Sequence, residues 1–339
     1  MSDRLLIVKP SSLGDVLHAF PAVAALCRET GCRADWLIHP AFAPLLRYLP
    51  CVDRAILFER KKLGAVKTFV PAYLELRREL KREKYRAVID FQGLLRSAML
   101  GFTASAKTHA GVPHEWVARP FYGRKLTVDP GHHALLRNNE AAAAFLGKAV
   151  DEIDFSFRLE PAAENVASAE TLLKNTGIAG SKMLIGVAPG ARWVTKQWPP
   201  EFFAKVIGAL SERYPEAVFL LLGSQSDEDA AQTILACAPA GKAVDLCGKT
   251  TLGDLVELTR KCRLFLSNDS GPMHIAAALD VPVLALFGAT SPVLTGPYTQ
   301  KKTVLQPGLA CEQCFERHCV KMTCHKAIEA ERAVRAAQE

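Results

Sequence analysis

The chain has 339 residues, beyond the roughly 250–300 at which one hydrophobic core stops growing, so two domains are expected. A 49% hydrophobic and 23% charged composition excludes a disordered or fibrous chain. Forty-two Lys and Arg against 35 Asp and Glu leave a charge of +7, an excess that suits an acidic ligand or an anionic surface and does not indicate nucleic acid, for which no reading motif is present.

Residues 1–9 carry an early aspartate and no long apolar stretch, and they read as a first strand rather than a signal peptide. No run of about 18 apolar residues predicts a membrane span. The ten cysteines are accordingly expected in a reducing cytosol. In chain order, strands are predicted at 5–9, 35–39, 54–58, 86–91 and 108–112. Helices are predicted at 15–29, 70–85 and 133–146. This alternation calls for a parallel sheet covered by helices. The rhythm fails across 151–161, read as the approach to a domain junction. It resumes with a helix at 162–176, then strands at 183–188, 217–222, 243–246, 263–267 and 281–287. The intervening helices are expected at 200–213, 226–237, 251–260 and 272–279, with a last helix over 325–338. The expected domains are 1–160 and 161–325, followed by a C-terminal helix over 326–339. No repeat of residues is visible.

In open α/β sheets ligands bind where strands end and helices begin. Four such loops carry chemistry. The first, 9–16, places Ser11, Ser12 and Gly14 before a helix whose first turn holds Asp15. It is either an N-cap with an acidic first turn or the seat of a general base facing an interdomain cleft. The second, 266–274, stacks Asn268, Asp269, Ser270, Gly271, Pro272 and His274 at a helix start, where backbone N–H groups and the helix dipole favour an anion. No Gly-Lys-Ser/Thr follows it, and no G-x-G-x-x-G follows the first strand, which argues against a P-loop and against a dehydrogenase. The third, 188–199, offers Arg192, Thr195 and Lys196 to a diphosphate, with Trp193 and Trp198 as packing residues. The fourth, 222–228, holds Asp227 and Glu228, for ribose hydroxyls or for a capping box.

The segments K-P-S-S-L-G-D-V at 9–16 and S-N-D-S-G-P-M-H-I-A-A-A-L at 267–279 resemble glycosyltransferase family nine, the bacterial heptosyltransferases. With A-V-I-D-F-Q-G-L-L-R-S-A at 87–98 and F-Y-G-R-K at 121–125, the likeness spans nearly the whole chain and is closer to the type I lipopolysaccharide enzymes than to type II. The resemblance implies a GT-B fold, α/β, with two Rossmann-like domains of parallel sheet facing a central cleft. It implies inverting, metal-independent transfer of heptose from ADP-L-glycero-D-manno-heptose to a Kdo hydroxyl of Kdo-lipid A, with no cofactor required. Asp15 would be the catalytic base, with Ser11, Ser12 and Gly14 on the acceptor side. Lys196 would contact the donor phosphates, and Asp269, Ser270, Gly271 and His274 would hold the diphosphate. Arg192 and Thr195 would join them, and Asp227 or Glu228 would take the ribose. This fits the chemistry: charge building on a departing diphosphate must be met by cations, N–H groups and a helix terminus when no metal is present.

Cys311, Cys314, Cys319 and Cys324 fall within fourteen residues, with His318 and His325 nearby. The spacing matches no common zinc or iron–sulfur pattern, leaving a structural metal, free thiols or a disulfide open. Residues 77–86 hold six cations and two acids, downstream of Arg60, Lys61, Lys62 and Lys67. An anionic acceptor and the cytoplasmic face of the inner membrane are the expected partners of this run, in a peripheral cytoplasmic protein. The alternatives are a family-nine transferase with another donor or acceptor, including a protein acceptor, a nucleotide-sugar epimerase, or a non-catalytic nucleotide-binding protein. The last would have no use for Asp15.

Overall fold

The computed structural model describes residues 3–64, 66–178, 180, 183–311 and 313–338. The chain divides into two units, Met1–Leu159 and Glu160–Glu339.

The first unit opens with β1 (Arg4–Val8), whose run of Leu, Leu, Ile and Val is buried throughout, as a central parallel strand requires. Helix α1 (Leu13–Thr30) starts at the N-cap Ser12 and stops at Gly31, which takes the left-handed conformation (φ 66°) that closes a helix. There follow β2 (Arg33–Ile38), a 3-10 stretch (Pro40–Tyr48), β3 (Val52–Leu57), α2 (Val66–Lys81), β4 (Lys84–Asp90), α3 (Leu95–Thr103), β5 (Ser105–Gly111), β6 (Arg124–Lys125) and α4 (Ala134–Leu146). The strands pair in parallel in the order β3-β2-β1-β4-β5-β6. Strand order reverses between β1 and β4, so their carboxyl ends flank the crevice where open sheets bind ligands. One face of the sheet packs Leu6, Val8, Leu37, Ile56, Leu80, Tyr85 and Val88 together. The fully buried Asp35 is neutralised there by Arg4 at 3.0 Å and Arg54 at 2.5 Å, with the Tyr85 hydroxyl donating at 2.8 Å. A buried carboxylate needs such partners.

Two readings of this half are corrected. The charged helix ends at Lys81 rather than 85, because Tyr85 belongs to β4 and points into the core. Helix α3 was not predicted: it leaves Leu95, Met99 and Phe102 exposed, so its sequence carries no clean division of apolar and polar faces.

The second unit runs α5 (Ala163–Asn175), β7 (Met183–Ala188), α6 (Pro200–Arg213), β8 (Ala217–Leu221), α7 (Glu228–Cys237), β9 (Ala243–Asp245), α8 (Leu252–Arg260), β10 (Cys262–Asn268), α9 (Gly271–Ala278), β11 (Val283–Leu286), α10 (Pro292–Thr295), β12 (Lys302–Leu305), α11 (Thr323–Lys326) and α12 (Ala330–Gln338). Its strands are also parallel, in the order β12-β11-β10-β7-β8-β9. Read from the other edge, this is the strand order of the first unit, a repeat of fold that the residues do not show. Its reversal falls between β7 and β10. The core gathers Ile185, Val187, Trp198, Phe203, Ile207, Phe219, Leu266 and Leu286.

The single helix expected over 325–338 is instead two, interrupted at residues 327–329. There the buried Trp198 indole donates to the Ile328 carbonyl at 2.9 Å, and Ile328 itself is fully buried. The tertiary bond satisfies a carbonyl that a continuous helix would have used internally. Strand β12 escaped prediction because only Leu305 in it is buried. Among the described residues no helix is long and apolar enough to cross a membrane.

Candidate active site

At the reversal in the first unit, Lys9 follows β1 and is buried. Its ammonium donates to the Phe91 carbonyl at 2.9 Å, joining the ends of β1 and β4, while its own carbonyl accepts from the Trp36 indole at 3.0 Å. Burial pushes the Lys9 pKa down, against the opposing pull of the Asp15 and Asp90 carboxylates and with Arg137 adding to the fall. Asp90 ends β4 and shapes the next turn: it accepts from Gln92 N–H at 2.7 Å, Gly93 N–H at 3.0 Å and the Tyr122 hydroxyl at 2.6 Å. Burial raises the Asp90 pKa, and those donors oppose the rise. Gly93 is required here: its φ is 66°, and a Cβ would stand 1.9 Å from the Val112 carbonyl oxygen.

Asp15 lies half-buried in the first turn of α1. One carboxylate oxygen accepts from Ser12 N–H at 2.9 Å and Ser12 Oγ at 2.8 Å, so the capping reading of this loop is realised. Ser11 is half-buried, Ser12 exposed and Gly14 buried. The electrostatic surroundings of Asp15 include Lys9 and His114. Burial lowers the His114 pKa, Lys9 and Arg137 lower it further, and Asp15 opposes them.

At the reversal in the second unit, Asn268 ends β10 and ties in the loop after β7. Its amide donates to the Pro189 carbonyl at 2.6 Å and accepts from Trp198 N–H at 3.1 Å. Lys196 forms a 2.6 Å ion pair with the buried Asp269 and lies 4.6 Å from the centre of the Trp193 ring. Thr290 donates to the same Asp269 oxygen at 2.5 Å. Thr195 is buried and donates to the Glu316 carbonyl at 2.7 Å. Ser270 is the N-cap of α9, Gly271 and Pro272 open it, and His274 is buried one turn in. The first-turn N–H groups lack helical acceptors and present a partial positive charge.

Asp227 closes a capping box with Ser224, accepting at 2.8 Å from both its N–H and its Oγ. It also packs on Gly190, where a Cβ would stand 2.1 Å from Asp227 Oδ1. Glu228 is exposed at the start of α7, and Arg192 is exposed. The structure thus brings Thr195, Lys196 and Asp269 together directly, sets Ser270, Gly271 and His274 on the next turn, and joins Asp227 through Gly190. Arg192 and Glu228 remain on the surface. The ion-pair partner of Asp269 in this structure is Lys196. Thr290 was missed from sequence because it acts through a residue distant in the chain, whereas Lys9 and Asp90 stood within the motifs at 9–16 and 87–98 without a role assigned to them. Asn268 stood within the recognised motif.

Cys311, Cys314 and Cys319 are exposed and Cys324 is half-buried. Among the described residues no three metal-ligating side chains converge. In the basic run, Arg77, Arg78 and Lys81 are exposed on α2 and Arg82 is exposed just after it, while the acids of the run are drawn into ion pairs with Arg54 (Glu79 at 3.6 Å, Glu83 at 3.7 Å).

The pattern of glycosyltransferase family 9 (heptosyltransferase) matches residues 73–325. The chain is 30% identical to lipopolysaccharide heptosyltransferase 1 of Pseudomonas aeruginosa over 331 residues, covering 93% of this chain and 87% of the relative. It is 31% identical to lipooligosaccharide heptosyltransferase 2 of Haemophilus influenzae over 314 residues, 89% of this chain and 88% of that one. Two structures of E. coli heptosyltransferase WaaC superpose at 25% identity. The complex with ADP gives a TM-score of 0.78 over 99% of both chains. The complex with ADP-2-deoxy-2-fluoro heptose gives 0.75 over 98% of both.

Proposed function

The chain belongs to glycosyltransferase family 9 and has its GT-B fold of two Rossmann-like parallel sheets, and from that premise we propose that it moves heptose from ADP-L-glycero-D-manno-heptose to a Kdo hydroxyl of Kdo-lipid A with inversion at the anomeric carbon. The observation that carries the reading is the contrast between the two switch points: a half-buried carboxylate, Asp15, at one, and a lysine braced by Asp269 beside a helix N-terminus at the other.

In the proposed reaction the acceptor oxygen bonds to the anomeric carbon as the bond from that carbon to the diphosphate oxygen breaks. Asp15 takes the acceptor proton. The electron pair leaves with ADP, whose growing charge is met by Lys196, Arg192, the first-turn N–H groups of α9 and His274. The transition state is oxocarbenium-like, as in glycoside chemistry. Asp269 is a positioning residue that aims Lys196. Thr195 fixes the loop, and Asp227, set against Gly190, takes the ribose hydroxyls, with Glu228 exposed beside it. Ser11, Ser12 and Gly14 shape the acceptor end. We also propose that the exposed cations of α2 meet acceptor phosphates and the anionic cytoplasmic face of the inner membrane. Unchanged binding to anionic vesicles after Lys/Arg→Glu changes across 77–86 would refute that part.

The test of the main reading is incubation with ADP-heptose and Kdo-lipid A, followed by mass analysis. One added heptose with release of ADP is expected; no transfer to this acceptor overturns it. A second reading, transfer to an acceptor other than Kdo, has its own support in the near-equal identities to the type 1 and type 2 relatives. Transfer only to an already extended core would establish it.

A further inference from the structure

Resting on the proposal that the 189–198 loop holds the donor, we infer that Arg317, within the cysteine-rich segment, is a further donor-binding residue that supplies a cation to the diphosphate of ADP-heptose.

The charge balance at the second switch point calls for it. Lys196 is paired with Asp269 at 2.6 Å, so the two together present little net charge to a ligand bearing about two negative charges. Arg317 is exposed, and among the described residues no carboxylate pairs with it. Its guanidinium lies 4.9 Å from the centre of the Trp193 ring, the same ring that Lys196 approaches at 4.6 Å. The ring holds both cations in place by attraction to its face.

What brings Arg317 there is a strap of backbone. Gln313 N–H donates to the Gly288 carbonyl at 3.1 Å and Phe315 N–H to the Ala289 carbonyl at 2.7 Å, in the loop after β11. At the next residue the strap is held on the other side, where Thr195, in the loop after β7, donates to the Glu316 carbonyl at 2.7 Å. In the sheet β10 stands between β11 and β7, so the strap crosses the carboxyl end of β10, where Asp269, Ser270 and Gly271 sit. Gln313 (φ 59°) and Phe315 (φ 57°) both take left-handed backbone. That conformation is unfavourable for side chains other than glycine. The three tertiary hydrogen bonds hold it, and they deliver a guanidinium to the mouth of the donor loop. A guanidinium suits phosphate because it is planar, always charged and able to donate two parallel bonds.

The test is calorimetric titration of the full chain with ADP and with AMP, in the wild type, Arg317→Gln, Arg317→Lys and Lys196→Ala. Arg317→Gln is expected to weaken ADP about tenfold while leaving AMP unchanged, and Arg317→Lys to recover part of the loss. Equal weakening of ADP and AMP would make the side chain a mere support of the strap and overturn the inference. So would unchanged ADP affinity in Arg317→Gln when Lys196→Ala has lost it, an outcome that leaves the donor reading standing. Failure of the wild type to bind ADP at all would sink the donor reading and this inference with it.

Discussion

The two units share one strand order and carry opposite charge arrangements at the point where that order reverses. In the first, the charge buried beside the helix start is a cation: Lys9 turns inward to the Phe91 carbonyl, with the buried Asp90 in the neighbouring strand end, and the carboxylate of Asp15 stays half-exposed in its field. In the second, the buried ion is the carboxylate of Asp269, and the more exposed partner is Lys196. The scaffold does not dictate this difference. The same strand end and helix start can present a base or a cation, depending on which charge the fold buries to hold the other in place.

The largest expected effect breaks the contrast on the acid side. Asp15→Asn is expected to lower turnover by about 10²–10⁴-fold, the range of a lost general base, with ADP affinity unchanged by calorimetry. If ADP binding fell equally, the division of labour between the units would be wrong. On the cation side, Lys196→Met strands Asp269 in the interior. A loss of about 3 kcal/mol in urea unfolding is expected, together with weakened ADP binding. Adding Asp269→Asn should restore most of the stability and none of the affinity; recovery of both would mean that Lys196 only supports the loop.

A pair of glycine changes sharpens the comparison. Gly93→Ala puts a methyl group against a backbone carbonyl and is expected to cost about 2–3 kcal/mol of stability. Gly190→Ala meets the side chain of Asp227, which can swing aside. Its cost to stability should stay near 1 kcal/mol, and its effect should appear in ADP affinity instead. The smallest effect is at His114. Its folded pKa lies below the ordinary 6.5, so as pH falls the unfolded chain takes up the proton first, and the stability present above pH 6.5 declines toward the folded value. His114→Gln should flatten that slope in unfolding curves between pH 7 and 5; an unaltered slope would assign it to other groups.

Much of this was legible in the residues. The alternation of short apolar runs with amphipathic ones predicted two parallel α/β sheets, and the matches at Met183–Ala188 and Pro200–Arg213 run from end to end. There a continuous buried strand or a helix led by proline leaves a sharp pattern. Helix α3 and strands β6 and β12 were lost where burial is slight and periodicity weak. The loops at 9–16 and 266–274 stood out because each packs several residues of one chemical purpose into a few positions.

Local order, and the residue types offered at each strand end, were thus determined by the sequence alone, since capping, turn formation and the covering of a sheet act between near neighbours. Which charges are buried, that Asp269 pairs with Lys196, and that residue 317 arrives beside Trp193 were decided only by tertiary structure. Those pairings join positions 73 to 124 residues apart in the chain, and no local spacing records the cost of leaving a buried charge without its partner.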